Sequence, residues 1–210
     1  AERRRKSLIR TLIVAVVVVA VLLVGNYVLD RFFGLSPIEK EARSYESAGD
    51  QYLRNNELDK AIPEYEKAVA VMPELAEGHL TLGVLYEIKG DAEKSKQAFG
   101  NAEALYSDRH DYLVALASAY QAVGQLDKAM AAVTEAITLK PQSPRAIFVR
   151  GGIYEAKGSY SEAIADFDTA STLAQEQGED ALYVLAKTRM GMLLQSGPPR
   201  SLPTEPSSGS

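Results

Sequence analysis

The residue types that carry acid–base, nucleophilic or metal chemistry are few here and poorly spaced for it. His79 and His110 are the only histidines, 31 positions apart and without an HxxE or HExxH companion. Cysteine is absent, which removes thiolate catalysis, disulfides and Cys-ligated zinc together. No P-loop or GxGxxG spacing occurs, and the run RGGIYEAKG at residues 150–158 reads as the end of a helix, not a phosphate loop. Glu176 with Glu179 and Asp180 reads as solvated charge at a helix terminus. No catalytic, cofactor-binding or metal-binding residue is assigned, and the chain is not expected to be an enzyme.

The elements around these residues explain the chain better. Its 210 residues, 46% hydrophobic and 24% charged, have the composition of an ordinary globular protein. The formal charge of −5 is unevenly spread. Residues 1–10 hold Arg3, Arg4, Arg5, Lys6 and Arg10 against Glu2 alone, so the rest of the chain is acidic and offers no phosphate-binding surface. No nucleic acid is expected as a partner.

Residues 11–29 carry no charge and include the unbroken apolar run Leu12 to Val24. As a helix this stretch is about 28 Å long, close to the thickness of a bilayer core, so a transmembrane helix is predicted. A cleaved signal peptide fits less well. Cutting after Gly25 would put the bulky Leu23 three residues before the bond, and cutting after Ser36 would put Pro37 just beyond it. The basic cluster before the span predicts a cytoplasmic residue 1–10 segment and an extracytoplasmic remainder, most simply on the periplasmic side of a bacterial inner membrane. Residues 30–36 are then a short linker, at most roughly 25 Å when extended. The start of the next helix is marked by Ser36, Pro37 and Glu39, which form a capping-box signature.

Beyond the linker the sequence repeats. Asn56, Gly90, Gly124 and Gly158 are each 34 residues apart. Seven places before each stands a small residue, Gly49, Gly83, Ala117 or Gly151, and four places before each a tyrosine, Tyr52, Tyr86, Tyr120 or Tyr154. After it come Ala61, Ser95, Ala129 or Ala163, then Tyr65, Phe99, Val133 or Phe167, then Ala68, Ala102, Ala136 or Ala170. Small residues on both helices of a hairpin let them approach closely, bulky ones fill the gaps beside them, and the glycine ends the first helix with a left-handed cap. Each hairpin leaves apolar surface bare, so hairpins must stack.

These residues and their period resemble the tetratricopeptide repeat family, with four units starting at Ala42, Ala76, His110 and Pro144. The departures are local. Tyr45, His79, Leu113 and Ile147 stand where that family has a large first residue, Arg150 replaces a usual leucine, and Ser107 and Gln175 replace the closing proline present as Pro73 and Pro141. Both histidines are therefore expected to pack, not to ligate. Pro63 is expected in the first turn of a second helix. Residues 178–195 read as an amphipathic helix capping the stack, and 196–210 as a disordered tail. The predicted fold is all-α: a tetratricopeptide-repeat solenoid over 37–195 behind one transmembrane helix.

What the resemblance implies about function lies on the concave face, lined by the first helix of each unit. Carried over by position, the protein-binding groove holds an apolar strip of Leu80, Val84, Ile88, Val114 and Phe148 with Gln121, rimmed by Glu77, Glu87, Asp111 and Glu155. Glu46 and Asp50 stand where members of the family that clamp a C-terminal carboxylate carry lysine, asparagine or arginine, so such a clamp is not expected. The expected function is a membrane-anchored scaffold for protein–protein interaction, as accessory subunit or assembly factor of a larger membrane complex. Its protein partner would be membrane-embedded or membrane-proximal, its lipid contact would be residues 11–29, and no cofactor is called for. Two alternatives remain open at the level of sequence: an extracytoplasmic helper that meets newly translocated chains, and an organelle-membrane receptor whose repeats face the cytosol.

Overall fold

The computed structural model describes residues 36–196, and over these the chain is helical throughout. In order the helices are α1 (Pro37–Arg54), α2 (Leu58–Val71), α3 (Ala76–Lys89), α4 (Ala92–Leu105), α5 (Arg109–Ala122), α6 (Leu126–Leu139), α7 (Pro144–Ala156), α8 (Tyr160–Gln177) and α9 (Asp180–Ser196). The basic segment, the expected span at 11–29, the linker up to Leu35 and the tail beyond Ser196 lie outside the described residues. None of the described helices is long and apolar enough to cross a membrane.

Local sequence sets the helix ends. Ser36 accepts from the Glu39 N–H at 3.1 Å while the Glu39 carboxylate accepts from the Ser36 N–H at 2.7 Å, completing the predicted capping box with Pro37 as first helical residue. Asp91, Asp108 and Ser143 cap α4, α5 and α7 in the simpler way, each with a side-chain oxygen on an otherwise orphaned N–H. At the other end of each first helix the 34-residue marker behaves as predicted. Asn56, Gly90, Gly124 and Gly158 all have positive φ, and the next residue's N–H reaches back to the carbonyl of Tyr52, Tyr86, Tyr120 or Tyr154. Gly178 repeats the device at the end of α8. Pro63 differs from expectation: α2 begins at Leu58, so the proline sits in the second turn and leaves the Asp59 carbonyl without its helical donor. Pro63 is solvent-exposed, and water can serve that carbonyl instead.

Four antiparallel hairpins result, α1 with α2, α3 with α4, α5 with α6 and α7 with α8, and α9 packs on α8 but, unlike the amphipathic cap expected, leaves Val184, Leu185, Met192 and Leu194 exposed. Within a hairpin the small residue of the first helix lies under the bulky residue of the second. A Cβ on Gly49 would come within 2.6 Å of the Tyr65 ring, and one on Gly151 within 2.9 Å of Phe167. Tyr65, Val133 and Phe167 are buried, each worth about 1.5–3 kcal/mol against exposure.

Stacking between hairpins is not uniform. α2 lies on α3, both α5 and α6 lie on α7, and the second and third units meet through their first helices, α3 on α5. That joint is the one where Ser107 replaces the closing proline. Polar links repeat from unit to unit: Tyr86 donates to Glu66, Tyr120 donates to Glu87 at 3.0 Å, and Arg189 of α9 donates to Glu155 at 2.6 Å. Lys89 with Asp59, and Lys157 with Asp127, form the same exposed bridge two units apart. Inside the first three units a lysine stands over the repeat tyrosine: Lys60 on Tyr52, Lys94 on Tyr86 and Lys128 on Tyr120, at 5.7, 5.1 and 5.6 Å from the ring centroids.

Arg150, unusual at its position, has a local answer. Its guanidinium donates two bonds of 2.7 Å to the Asp166 carboxylate on α8, a bidentate pair in which the aspartate is buried.

Candidate functional site

First helices from all four units wall a cleft of about 440 Å³ on the concave side. α1 supplies Glu46 and Asp50, α3 supplies Glu77 and Thr81, α5 supplies Asp111, Val114, Ala115, Ser118 and Ala119, and α7 supplies Arg145 and Val149. Tyr65 from α2 and Tyr106 from the loop after α4 complete the lining. The helical spacing explains which side chains arrive: Glu46 and Asp50, and Asp111, Ala115 and Ser118, recur at three or four residues and so share one face of their helices.

The cleft is acidic at one end and aliphatic along its wall. Tyr65 donates to the Asp50 carboxylate, which fixes both groups. Glu46 takes a 3.2 Å bond from Arg43, yet its carboxyl is held above the usual range by burial, with the charges of Asp50 and Glu77 adding to the effect. The Tyr106 phenol is pushed up first by burial and then by Glu77 and Asp111, with Arg145 opposing them. Its oxygen is buried and has no hydrogen-bond partner, while its ring meets Tyr112 edge-on at 5.8 Å. Asp111 and Arg145 also wall a second cleft of about 800 Å³, formed by His110 and by the loops after α6 and α8.

The sequence-predicted groove residues divide. Glu77 and Asp111 come together in the acidic cleft, with Val114 behind them, only 4% exposed and part of the core. Gln121 and Phe148 lie further along, in a smaller cleft of about 340 Å³ beside Leu185 and Arg189 of α9. Leu80 and Val84 are 0% exposed and belong to the core, because α3 is covered by α2, α4 and α5 and has almost no free face. Ile88 packs against the same core. The exposed apolar strip is thus not formed by these three. Glu87 and Glu155 are taken up by links to the next unit, Glu87 by Tyr120 and Lys128 and Glu155 by Arg189.

Thr81, Tyr106, Ala115, Ala119 and Val149 line the cleft although sequence reasoning did not reach them, and Tyr106 lies in a loop that breaks the family pattern at Ser107. Both histidines pack as expected. His79 bonds the Pro73 carbonyl at 2.9 Å, and His110 holds Asp111 at 2.8 Å with its other nitrogen buried and unpartnered. Glu176, Glu179 and Asp180 are exposed at the α8–α9 joint. Among the described residues no group of three or more His, Asp and Glu side chains is placed to hold a metal ion.

Helical hairpins stacked in series, with first helices of all four sharing one cleft, define a solenoid repeat protein. A family model for the TPR repeat matches residues 49–90 and one for the tetratricopeptide repeat matches residues 114–178, together about half of the sequence. The chain belongs to the tetratricopeptide repeat family. Among solved structures it is similar to a crystal structure of MamA, 20% identical, covering 70% of this chain and 92% of that one with a TM-score of 0.32. It is similar to Pseudomonas aeruginosa pilF at 16% identity, with coverages of 75% and 78% and a TM-score of 0.39. The TPR2AB domain of yeast Sti1 in its pHSP90 complex gives 20% identity, coverages of 72% and 72%, and a TM-score of 0.35. No curated protein sequence matches the chain.

Proposed function

We propose that this protein is a membrane-anchored scaffold that holds a segment of another protein on its concave face, as an accessory subunit or assembly factor of a larger membrane complex. Protein–protein interaction is what the repeats indicate, and the observation that carries the reading further is the single cleft walled by α1, α3, α5 and α7. A surface shared among four units suits an extended or helical segment better than a small compact ligand.

Anchoring rests on the uncharged run at residues 11–29, and the extracytoplasmic placing of the repeats rests on the basic residues before it. The capping box at Ser36 starts the solenoid seven residues after the run ends, so a partner reached by the cleft sits near the bilayer. Catalysis has no part in this reading.

The test is purification of the native protein from membranes in mild detergent, with native gel sizing and mass spectrometry of what travels with it. A fixed set of membrane proteins at constant ratio supports the proposal. A monomeric species without companions, or a soluble protein found outside the membrane fraction, sinks it.

A further inference from the structure

We infer that the cleft between α1, α3, α5 and α7 selects a protein segment by a lysine or arginine side chain, whose cationic head lies among Glu46, Asp50, Glu77 and Asp111 and whose aliphatic stem lies on Ala115 and Val149. This deepens the protein-binding reading and rests on it.

Three observations carry it. The first is composition in space: the lining of the 440 Å³ cleft holds four carboxylates and one cation, Arg145 on α7. Two of the carboxylates have no cation of the cleft as partner. Asp50 accepts a hydrogen bond from the neutral Tyr65 phenol, and Glu46 shares an exposed Arg43 while feeling Asp50 and Glu77. An added cation relieves that crowding, whereas an anionic group would compound it.

The second observation is Tyr106. Its phenol oxygen is buried without a partner in the lining of the same cleft, under the influence of Glu77 and Asp111. An unmade hydrogen bond in a buried place costs stability, and a ligand's backbone carbonyl or amide entering beside the tyrosine would supply it.

Third, the wall is aliphatic where a lysine or arginine stem would rest. Half-buried Ala115 and Val149 face the cleft, with the buried Val114 and Ala119 behind them, so a long side chain can rest its methylenes there and keep its charged end at the acidic rim. A purely apolar side chain uses one half of the cleft and leaves the other unmatched, and an acidic one is repelled by the carboxylates.

The experiment is selection of random dodecamer peptides on the full chain in detergent micelles, followed by fluorescence-anisotropy titration of the winners on the parent protein and on the Glu46→Gln/Glu77→Gln variant. The inference expects winners that share a lysine or arginine at one aligned position. They should lose at least about tenfold in affinity on the variant, weaken as salt rises, and lose binding when that residue alone becomes norleucine. Circular dichroism confirms the variant's fold, and the exposed single change Glu77→Gln provides a second, milder perturbation. Winners without a shared cation, or bound equally by parent and variant, overturn this inference and leave the scaffold reading standing. If no peptide is selected by parent or variant, the concave face is not a peptide site and both fall.

Discussion

Phe99 lies over Gly83 so closely that a Cβ on the glycine would stand 2.6 Å from its ring. The same contact joins Gly49 to Tyr65 and Gly151 to Phe167, whereas the third unit places Ala117 and Val133, both fully buried, at the equivalent positions. A methyl on one helix is thus accompanied by a smaller residue on the other.

Gly83→Ala is therefore expected to destabilise the fold by about 1–3 kcal/mol through overpacking. Combining it with Phe99→Val should recover part of that loss, because the pair then copies the third unit. Urea unfolding of the single and double variants measures both. Independent, additive effects would show that the two residues do not share the space.

The buried carboxylate of Asp166 depends on Arg150. Arg150→Leu restores the residue usual in the family yet leaves that carboxylate unpaired, and is expected to cost about 3–5 kcal/mol. Adding Asp166→Ala should return most of the stability. A neutral outcome for the single change in thermal unfolding would mean that solvent reaches Asp166.

Backbone conformation makes another pair of predictions. Gly90 has φ of 77° with open space around it, so Gly90→Ala is expected to lose about 1 kcal/mol from strain alone. Asn56 holds the same left-handed conformation at 58°, and Asn56→Gly should change stability by only a few tenths of a kcal/mol. Denaturant midpoints distinguish the two.

The pH dependence follows from two sets of groups. Glu46 has its folded pKa raised, so the fold holds the proton more tightly than the unfolded chain does. Its favourable contribution is full below the ordinary carboxylate range and is lost as pH rises through the folded value. Glu46→Gln should accordingly raise the melting temperature at neutral pH and leave it unchanged in acid. Tyr65, Tyr86, Tyr106 and Tyr120 are all raised, by burial first, and the first two and Tyr120 also by the carboxylate each donates to. Their contribution is intact below the ordinary tyrosine range and fades above it, so tyrosinate absorbance and loss of helix should rise together in alkali. Tyrosinate forming well before helix is lost would contradict the burial.

Most of the architecture was legible because it rests on backbone rules that repeat. The left-handed turn at Gly90, Gly124 and Gly158, the small residues beneath aromatic rings and the Ser36 capping box each follow from residue type at a fixed spacing. The lysines at 60, 94 and 128 recur at the same 34-residue interval, and their stacking over Tyr52, Tyr86 and Tyr120 was there to be read. The groove was less legible for a geometric reason. Position within a repeat tells which way Leu80 or Val84 points on an ideal helix, but how deeply it is covered depends on the rotation between α3 and α5. The loop before Asp108 carries no repeat signal at all, and Tyr106 came into the cleft through it.

The cleft's walls belong to four hairpins, and each hairpin is tied to its neighbours by contacts such as Tyr120 with Glu87 and Arg189 with Glu155. Its width is therefore set by the turn from one unit to the next, like the gap between the coils of a bent spring. Glu46 of the first hairpin and Asp111 of the third stand on walls that share no helix, so their separation follows from how the hairpins between them are stacked.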